Sequence, residues 1–555
     1  MINRDNLRFN IKKILKKLKF FKKNSPDWAN ILASKKKIYE ELKLKAEKGE
    51  KILICTSTGG QLFNSHFEAL LALALTRYGA NVEVMLCDKA LNACAVTTTH
   101  LIDEDKYLKN GQTKICNSCL DSGREAFEGL GLKINYYSKF ISKKETEEIN
   151  KKTLNLTTDQ MIEFTEDNVP IGEHAYAGAL RFYAVGTLEK EKNGDLILRK
   201  YLQAGLITKK IFFNFFSKKK FNKIILNHAI YVPQGIICEV SKVFKIKIIA
   251  YDSGYKKNSF VFSYDDTYHR NMIQEDIDDW INIKLDRKKE ENLFNYLDSR
   301  KYGTEDMFYY FNNPSFEIEN QLKKINVDLN KPIIGILTNI IWDAQIVYKN
   351  HIFKNMIEWL ITTIKYLSKR NDIEVVVRCH PGEVHSDRVS KQKVRETIYE
   401  NFKKIPNNLK IIDSDSTIST YSFADYCNTL AIYSTKMGME FAPYGNKIIV
   451  AGESYIKNKD ITLDPKTKGE YYDLLDKFPN IEKTTFERIE KAKKYAYHYF
   501  FRRTMQVSSL DSIQNAWPPF KVNKNSLENL INDEDKGLKT ISQCIIKNDK
   551  FIQKI

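Results

Sequence analysis

Between Ile373 and Val450 short apolar runs alternate with helical stretches, and the runs end in polar residues. Ile373-Glu-Val-Val-Val377 reads as a buried strand because it is apolar, β-branched and only a few residues long. It runs into Arg378-Cys379-His380-Pro381-Gly382-Glu383. Leu409-Lys-Ile-Ile412 is the next strand, a helical stretch starts at Ser419, and Thr429-Leu-Ala-Ile432 is strand again. That strand opens into Tyr433-Ser434-Thr435-Lys436-Met437-Gly438-Met439-Glu440. After a short helix broken at Pro443-Tyr444-Gly445, the run from Lys447 to Gly452 returns to strand. Such alternation predicts a parallel sheet with helical crossovers. In sheets of that kind ligands sit outside the carboxyl ends of the strands, where both polar motifs fall.

The residue types at those ends suit a phosphate. Ser434 and Thr435 lie where a strand turns into a helix, so their hydroxyls can cap it. Orphan amides at such a turn favour negative charge. Lys436 adds a positive charge, and Gly438 allows close approach of a ligand or a neighbouring backbone. Glu440, about a turn and a half on, could reach ribose hydroxyls. Arg378 and His380 can donate to a second phosphate oxygen or a leaving group, with Glu383 beside them. Asn339 ends an earlier strand, Pro332 to Leu337, and joins the same set. Either motif alone reads equally well as a helix cap with surface charges; both together favour a nucleotide site.

Arg-x-His-Pro-x-Glu at 378–383 followed by Tyr-Ser-Thr-Lys-x-Gly-x-Glu at 433–440 resembles the bacterial capsule polysaccharide biosynthesis family of glycosyltransferases. His-Pro and Ser/Thr motifs at similar places occur in capsular Kdo transferases and several bacterial sialyltransferases, which use CMP-sugars. The resemblance extends over roughly residues 50 to 505. It implies an α/β fold of the GT-B class, two Rossmann-like domains facing each other across a cleft. The acceptor would bind the first domain and the nucleotide sugar the second.

The chain has 555 residues, long enough for two or three domains. Its 43% hydrophobic and 12% aromatic content describes a globular protein. A net charge of +18 points to an anionic partner or to a Lys-rich genome, and by itself does not separate the two. The expected organisation is a basic amphipathic helical segment over 1–48, an acceptor domain over 49–275, and a helical connector over 276–330. A nucleotide-sugar domain over 331–482 and C-terminal helices over 483–555, bracing the first domain, complete it. Residues 1–24 carry nine Lys or Arg against one Asp, with Leu7, Ile11, Ile14, Leu15, Leu18 and Phe21 at helical spacing. That stripe can lie on an anionic membrane surface or pack as an ordinary amphipathic helix. No run approaches the roughly 18–20 apolar residues of a span, and no signal-peptide core is evident. The expectation is a cytoplasmic protein, with peripheral attachment to the inner face of the cell membrane left open.

In the first half, the strand Lys51 to Cys55 leads to a turn containing Gly59 and Gly60, which would face the cleft; the dinucleotide fingerprint is lacking. Cys87, Cys94, Cys116 and Cys119 fall within 33 residues, the last two as C-x-x-C. They could hold a structural zinc or an iron–sulfur cluster, or remain free thiols. His174, with Glu173 beside it, has an intrinsic pKa suited to proton transfer, but could equally satisfy a helix start. His228 ends the strand Lys223 to Leu226, and Asp252 and Lys256 lie past the strand Lys245 to Ile249. Bacterial sialyltransferases carry an acidic–acidic–glycine motif supplying the base; Asp252-Ser253-Gly254 is similar, with Ser at the second acid.

The function expected is transfer of a sugar from a nucleotide donor, a CMP-sugar favoured, to a surface polysaccharide or lipid-linked glycan. Arg378, His380, Glu383, Ser434, Thr435, Lys436, Gly438, Glu440 and Asn339 would hold the donor. His174, Glu173 or Asp252 would act in catalysis, and Gly59, Gly60, His228 and Lys256 would line the acceptor side. No cofactor or metal is required for catalysis. A CDP-polyol phosphate transferase, a nucleotide-sugar 2-epimerase and a non-catalytic membrane-associated scaffold are the alternatives. Nucleic acid is not an expected partner, since no base-reading module is present.

Overall fold

A computed structural model of the chain describes residues 25–310, 314–344, 351–482, 484–513 and 516–554. The basic stripe of residues 1–24 lies outside the described residues. The described residues form two compact units: those within 25–182, 191–268 and 503–554 make unit 1, and those within 183–190 and 269–502 make unit 2.

Unit 1 is built on a seven-stranded sheet. β1 (Lys51–Ser57) is flanked by β2 (Asn81–Leu86) and β4 (Lys223–Asn227), with β3 (Lys133–Tyr136) outside β2 and β5 (Lys247–Ser253) outside β4. All five run parallel; Ile52 pairs with Val82 on one side and with Lys223 on the other. β6 (Ser259–Tyr264) and the two-residue strand Met505–Gln506 extend that second edge antiparallel. β1 is apolar on both faces because helices cover both. The helix Leu62–Arg77 after it is buried almost all round. Helices from Lys36–Ala46, Thr113–Phe127 and Lys536–Lys547 pack on it, and Phe67 stacks on Phe260 with centroids 3.5 Å apart.

Unit 2 has a five-stranded parallel sheet centred on β7 (Ile333–Leu337). β8 (Glu374–Arg378) and β9 (Leu409–Ile412) lie on one side of it. β10 (Thr429–Ile432) and β11 (Ile448–Val450) lie on the other. β7 is buried along its length. Gly335 sits mid-strand because a Cβ there would come within 2.6 Å of Cys427 Sγ. The helix Met356–Leu367 sets Trp359 into the core, where the indole stacks on Tyr433 and its N–H donates to Tyr471 at 2.9 Å.

Two Rossmann-like α/β units make the fold class the one expected. The boundaries differ. The stretch expected as a helical connector, 276–330, belongs to unit 2, because the helix Arg287–Arg300 sends a buried arginine into that unit's charge network. Of the C-terminal stretch expected to brace the first domain, the helix Phe486–Tyr497 and the residues to Arg502 belong to unit 2. Only Arg503 onward returns to unit 1, bringing a strand and a hairpin as well as helices. Within 25–48, helices Trp28–Ala33 and Lys36–Ala46 pack into unit 1, with Trp28 and Tyr39 buried. Among the described residues no helix is long and apolar enough to cross a membrane.

Removing the Trp359 side chain takes away a fully buried ring and leaves the Tyr471 hydroxyl short of a partner. Trp359→Ala is expected to destabilise unit 2 by about 3–5 kcal/mol, read from the urea midpoint of the full chain. A shift under about 1 kcal/mol would mean the core does not close on this indole.

Candidate functional site

Each sheet reverses its winding beside its central strand, and in open α/β sheets that reversal leaves a crevice at the carboxyl ends where ligands bind. In unit 2 the reversal lies between β7 and β10. The residues just past those strands are Thr338 and Asn339 on one side and Tyr433, Ser434 and Thr435 on the other. Asn339 Oδ1 accepts the Ser434 N–H at 3.3 Å, bridging the crevice. At the end of neighbouring β8, the His380 N–H donates to Thr338 Oγ1 at 3.1 Å. Three of the expected donor residues, Asn339, Ser434 and His380, thus meet at one switch point.

His380 has a defined tautomer. Its Nδ1 accepts the Gly382 N–H at 2.9 Å, so in the neutral ring the proton sits on Nε2, which is a donor. Burial, with Arg378 and Lys436 nearby, pulls its pKa down to about 4. The imidazole is therefore an uncharged hydrogen-bond donor at neutral pH.

Other expected donor residues have different occupations. Arg378 is buried, and its guanidinium donates to the carbonyls of Cys379 and Asp413 at 3.0 and 2.5 Å and to Thr420 Oγ1 at 3.2 Å. It ties the end of β8 to the loop after β9. Glu383 is also buried, accepts the Val394 N–H at 3.1 Å, and is pushed up to about 7 chiefly by burial. Glu440, expected to reach ribose hydroxyls, is buried in an ion network instead. Arg300 Nε lies 3.0 Å from it, the Tyr421 hydroxyl donates to it at 2.6 Å, and Lys436 Nζ stands at 3.7 Å. Burial raises its carboxyl, but Arg300 and Lys436 outweigh that and hold it below the usual range. Lys436 is pulled down to about 7 by burial and by Arg300. Gly438 admits the side chains of Ile432 and Ile456, each 3.0 Å from where a Cβ would stand, rather than a ligand. The helix after Lys436, Met437–Phe441, is too short for a strong dipole; Thr435 Oγ1 accepts the Met437 N–H at 3.3 Å.

A cavity of about 210 Å³ at the end of β9 lies outside the two motifs. Lys393, Arg395, Tyr399, Asp413, Ser414 and Asp415 line it. Asp413 and Ser414 follow the strand Leu409–Ile412 directly, so the carboxyl-end rule that singled out the other motifs would also have found them.

Unit 1 reverses between β1 and β4. A chain of side-chain hydrogen bonds spans that crevice. Gln234 donates to Thr58 at 3.0 Å, Thr58 to Gln61 at 2.7 Å, and Asn64 to Asn227 at 2.9 Å. His228, next after Asn227, has φ 62°, and Ala229 follows with φ 58°, a strained pair for non-glycine residues. His228 Nε2 lies 2.9 Å from Asp252 Oδ2, which pairs two expected site residues as imidazole and carboxylate. Asp252 Oδ1 also accepts the Ser253 N–H at 2.6 Å, which fixes the carboxylate. His174 is not part of this group. It is buried and its Nδ1 bonds the Ile230 carbonyl at 2.5 Å, so it anchors the loop that carries His228. Glu173 stands half-buried in the first turn of the same helix. Lys256 lies in the β5–β6 connection, its carbonyl accepting Ser259 Oγ at 2.6 Å.

Cys87, Cys94, Cys116 and Cys119 line one small cavity in unit 1, with Thr58 and Lys89. Burial raises the pKa of all four thiols, Cys87 to about 12 and Cys116 to about 11. Among the described residues no three His, Cys, Asp or Glu side chains stand close enough together to hold a metal ion as they are placed. Gly59 and Gly60 lie against this region. A Cβ on Gly59 would meet the Gly123 Cα at 2.4 Å, and the Gly60 N–H points at Cys119 Sγ at 3.1 Å. Close backbone packing inside unit 1 accounts for both glycines.

No protein-family model matches the sequence, and no curated protein does. Among solved structures the chain is similar to a KpsC β-Kdo 2,4-transferase of Thermosulfurimonas dismutans, with a TM-score of 0.32 and 9% identity over 56% of this chain and 87% of that one. It is similar also to a UDP-GlcNAc 2-epimerase from Neisseria meningitidis bound to UDP-GlcNAc, with a TM-score of 0.24 and 10% identity over 81% of this chain and 96% of that one. The spinosyn rhamnosyltransferase SpnG gives a TM-score of 0.24 at 8% identity, over 80% and 95% of the two chains.

The His380 geometry has a direct test. In the ligand-free chain the imidazole is expected to remain the neutral Nε2–H tautomer at about pH 6, where an ordinary histidine is largely protonated, as read from its ¹⁵N shifts. Protonation near the ordinary value would show that the ring is not held by Gly382 as described.

Proposed function

We propose that this chain is a glycosyltransferase that moves a sugar from a nucleotide donor to a surface polysaccharide or lipid-linked glycan. The observation that carries the reading is the unit 2 switch point, where Asn339, Ser434 and a neutral, donor-tautomer His380 meet at the strand ends. Phosphate oxygens would take the His380 Nε2–H and the Ser434 hydroxyl, with Lys436 close by. The cavity beside β9 would take the nucleoside, its aromatic ring Tyr399 and its carboxylates Asp413 and Asp415 suiting a base and ribose hydroxyls. The motif resemblance favours a CMP-sugar. Catalysis would come mainly from stabilising charge on the departing phosphate, with no metal ion needed in this reading.

Unit 1 would supply the base for the acceptor hydroxyl from the His228–Asp252 pair. A carboxylate that orients an imidazole and stabilises its protonated form is the usual arrangement for such a base. His174, whose ring is spent on a carbonyl, holds this pair in place instead.

Thermal stabilisation of the full chain by CMP, CDP, UDP and GDP tests the donor class, since a ligand selective for the native state raises apparent stability. Selective CMP stabilisation, abolished in His380→Ala without loss of fold, is the expected result. UDP or GDP selectivity would redirect the donor to ordinary hexoses, and CDP alone would favour a polyol-phosphate transferase. Turnover of a nucleotide sugar without acceptor would make it an epimerase. No stabilisation by any of the four would overturn the nucleotide site and favour a scaffold.

The base has its own test. His228→Ala and Asp252→Asn are each expected to lower kcat by about 10²–10⁴-fold while leaving nucleotide stabilisation at the wild-type level. Equal loss of thermal stability and turnover would assign the pair a structural role only.

A further inference from the structure

The side-chain network at the unit 1 reversal point takes its direction from one backbone carbonyl. The Tyr251 carbonyl accepts Asn227 Nδ2 at 3.1 Å, so Asn227 Oδ1 faces the other way. There it accepts Asn64 Nδ2 at 2.9 Å. The same nitrogen reaches Gln61 Oε1 at 3.3 Å, and the Thr58 hydroxyl donates to that oxygen at 2.7 Å. Thr58 in turn accepts Gln234 Nε2 at 3.0 Å. Flipping Asn64 would set oxygen against oxygen, and flipping Gln61 would set nitrogen against nitrogen, so both amides are held in one orientation. The loop that carries Thr58 and Gln61 is itself fixed, because Gly59 lies against Gly123 and the Gly60 N–H points at Cys119 Sγ. What remains is a complementary set of open atoms. The Gln61 Nε2 donor and the acceptors Asn64 Oδ1 and Gln234 Oε1 bond no partner among the described residues, and none of the three is sealed from solvent. Gln61 and Asn64 are half-buried, and Gln234 is only 4% exposed.

We propose that Gln61, Asn64 and Gln234 form a subsite for the hydroxyls of a neutral sugar residue, its role as the acceptor resting on the sugar-transfer reading. A sugar hydroxyl both donates and accepts, so one hydroxyl, or two on neighbouring ring carbons, can satisfy an amide N–H and an amide oxygen together. An anionic group suits the set poorly. Two of its three open atoms are acceptors, and a phosphate or carboxylate ligand has only acceptors to set against them. The subsite therefore takes the glycan end of an acceptor and not the phosphate of a lipid carrier. Its position fits that role. Asn64 is bonded to Asn227, the residue before His228, which brings the subsite beside the His228–Asp252 pair. Groups already fixed by the protein lose little freedom when a ligand arrives. They also discriminate, because an analogue that lacks the matching hydroxyl leaves a polar group unpaired.

The test is saturation-transfer NMR on the full chain, with the methyl glycosides of glucose, galactose, N-acetylglucosamine and rhamnose as neutral probes. Glycerol 3-phosphate and the methyl glycoside of glucuronic acid are the anionic ones. At least one neutral glycoside is expected to receive saturation at its ring protons, and the anionic probes are not. In Gln61→Ala/Asn64→Ala that binding should weaken by about tenfold or more, with nucleotide stabilisation left at the wild-type level. That variant also loses internal hydrogen bonds and can fail to fold, so the wild type is titrated with each monodeoxy form of the glycoside that binds. Deleting a hydroxyl held by the amides should cost about tenfold or more, and deleting one elsewhere on the ring less than about twofold. Absence of transfer to every neutral probe overturns the proposal. So does a folded double variant that binds like the wild type, transfer to the anionic probes alone, or equal binding of all the deoxy forms. Glycoside binding in a chain that no nucleotide stabilises would keep the subsite and refute sugar transfer; nucleotide binding without glycoside binding would do the reverse.

Discussion

A carboxylate as deeply buried as Glu440 is tolerable only with a cation in contact, because an unpaired buried charge costs several kcal/mol. Arg300 meets it at 3.0 Å and reaches Asp306 at 2.8 Å with the same guanidinium. Tyr421 and Lys436 complete the cluster. Much of unit 2 follows from this one arrangement. The helix Arg287–Arg300 has to pack within the unit to bring the guanidinium in. The short helix Met437–Phe441 is pinned by its own Glu440. Lys436, one turn earlier, is held over the switch point with its charge already contested. Removing Arg300 would leave two carboxylates with only Lys436 as a cation beside them in a closed space.

The chemistry of the crevice reads differently once those commitments are made. Arg378 and Glu440, which the residue types suggest as ligand-binding groups, are spent on the protein. What remains at the surface of the switch point is a set of uncharged donors, namely the Ser434 hydroxyl, the Asn339 amide and the Nε2–H of His380. Unit 1 repeats the pattern at its own reversal point, where hydroxyls and amides from Thr58, Gln61, Asn64, Asn227 and Gln234 line the strand ends and the His228 imidazole meets the Asp252 carboxylate. In both units the winding of the sheet decides where these groups collect, and local sequence decides what they are.

This division explains what was legible in the sequence. Strands such as Glu374–Arg378 and Thr429–Ile432 were readable because β-branched apolar runs bounded by polar residues have few other folds open to them. Their carboxyl ends, and hence Asn339, His380 and Ser434, came with them. Partners contributed from far along the chain were not readable. Nothing local to Glu440 announces Arg300, 140 residues earlier, and nothing in Asp252-Ser253-Gly254 announces the imidazole of His228. The charged helix Arg287–Arg300 looks like a solvated connector because its single buried cation is hidden among exposed Lys and Glu. His174 attracted attention as a titratable residue, but its place is decided by a carbonyl 56 residues away.

A site made of neutral donors beside an amine already drawn down to about 7 has a particular response to an incoming phosphate. The phosphate would bring the negative charge that burial denies to Lys436 and His380, so both would hold a proton more tightly with the ligand present than without it. Positive charge would then build up at the crevice as the phosphate arrives, instead of standing there in full in the empty protein, where Arg300 would oppose it. In the proposed transfer the cost of keeping cations ready in a buried site would thereby be avoided, and the interaction would be strongest when the leaving group carries most charge. That is the differential a transferase needs, since only contacts that strengthen toward the transition state raise the rate.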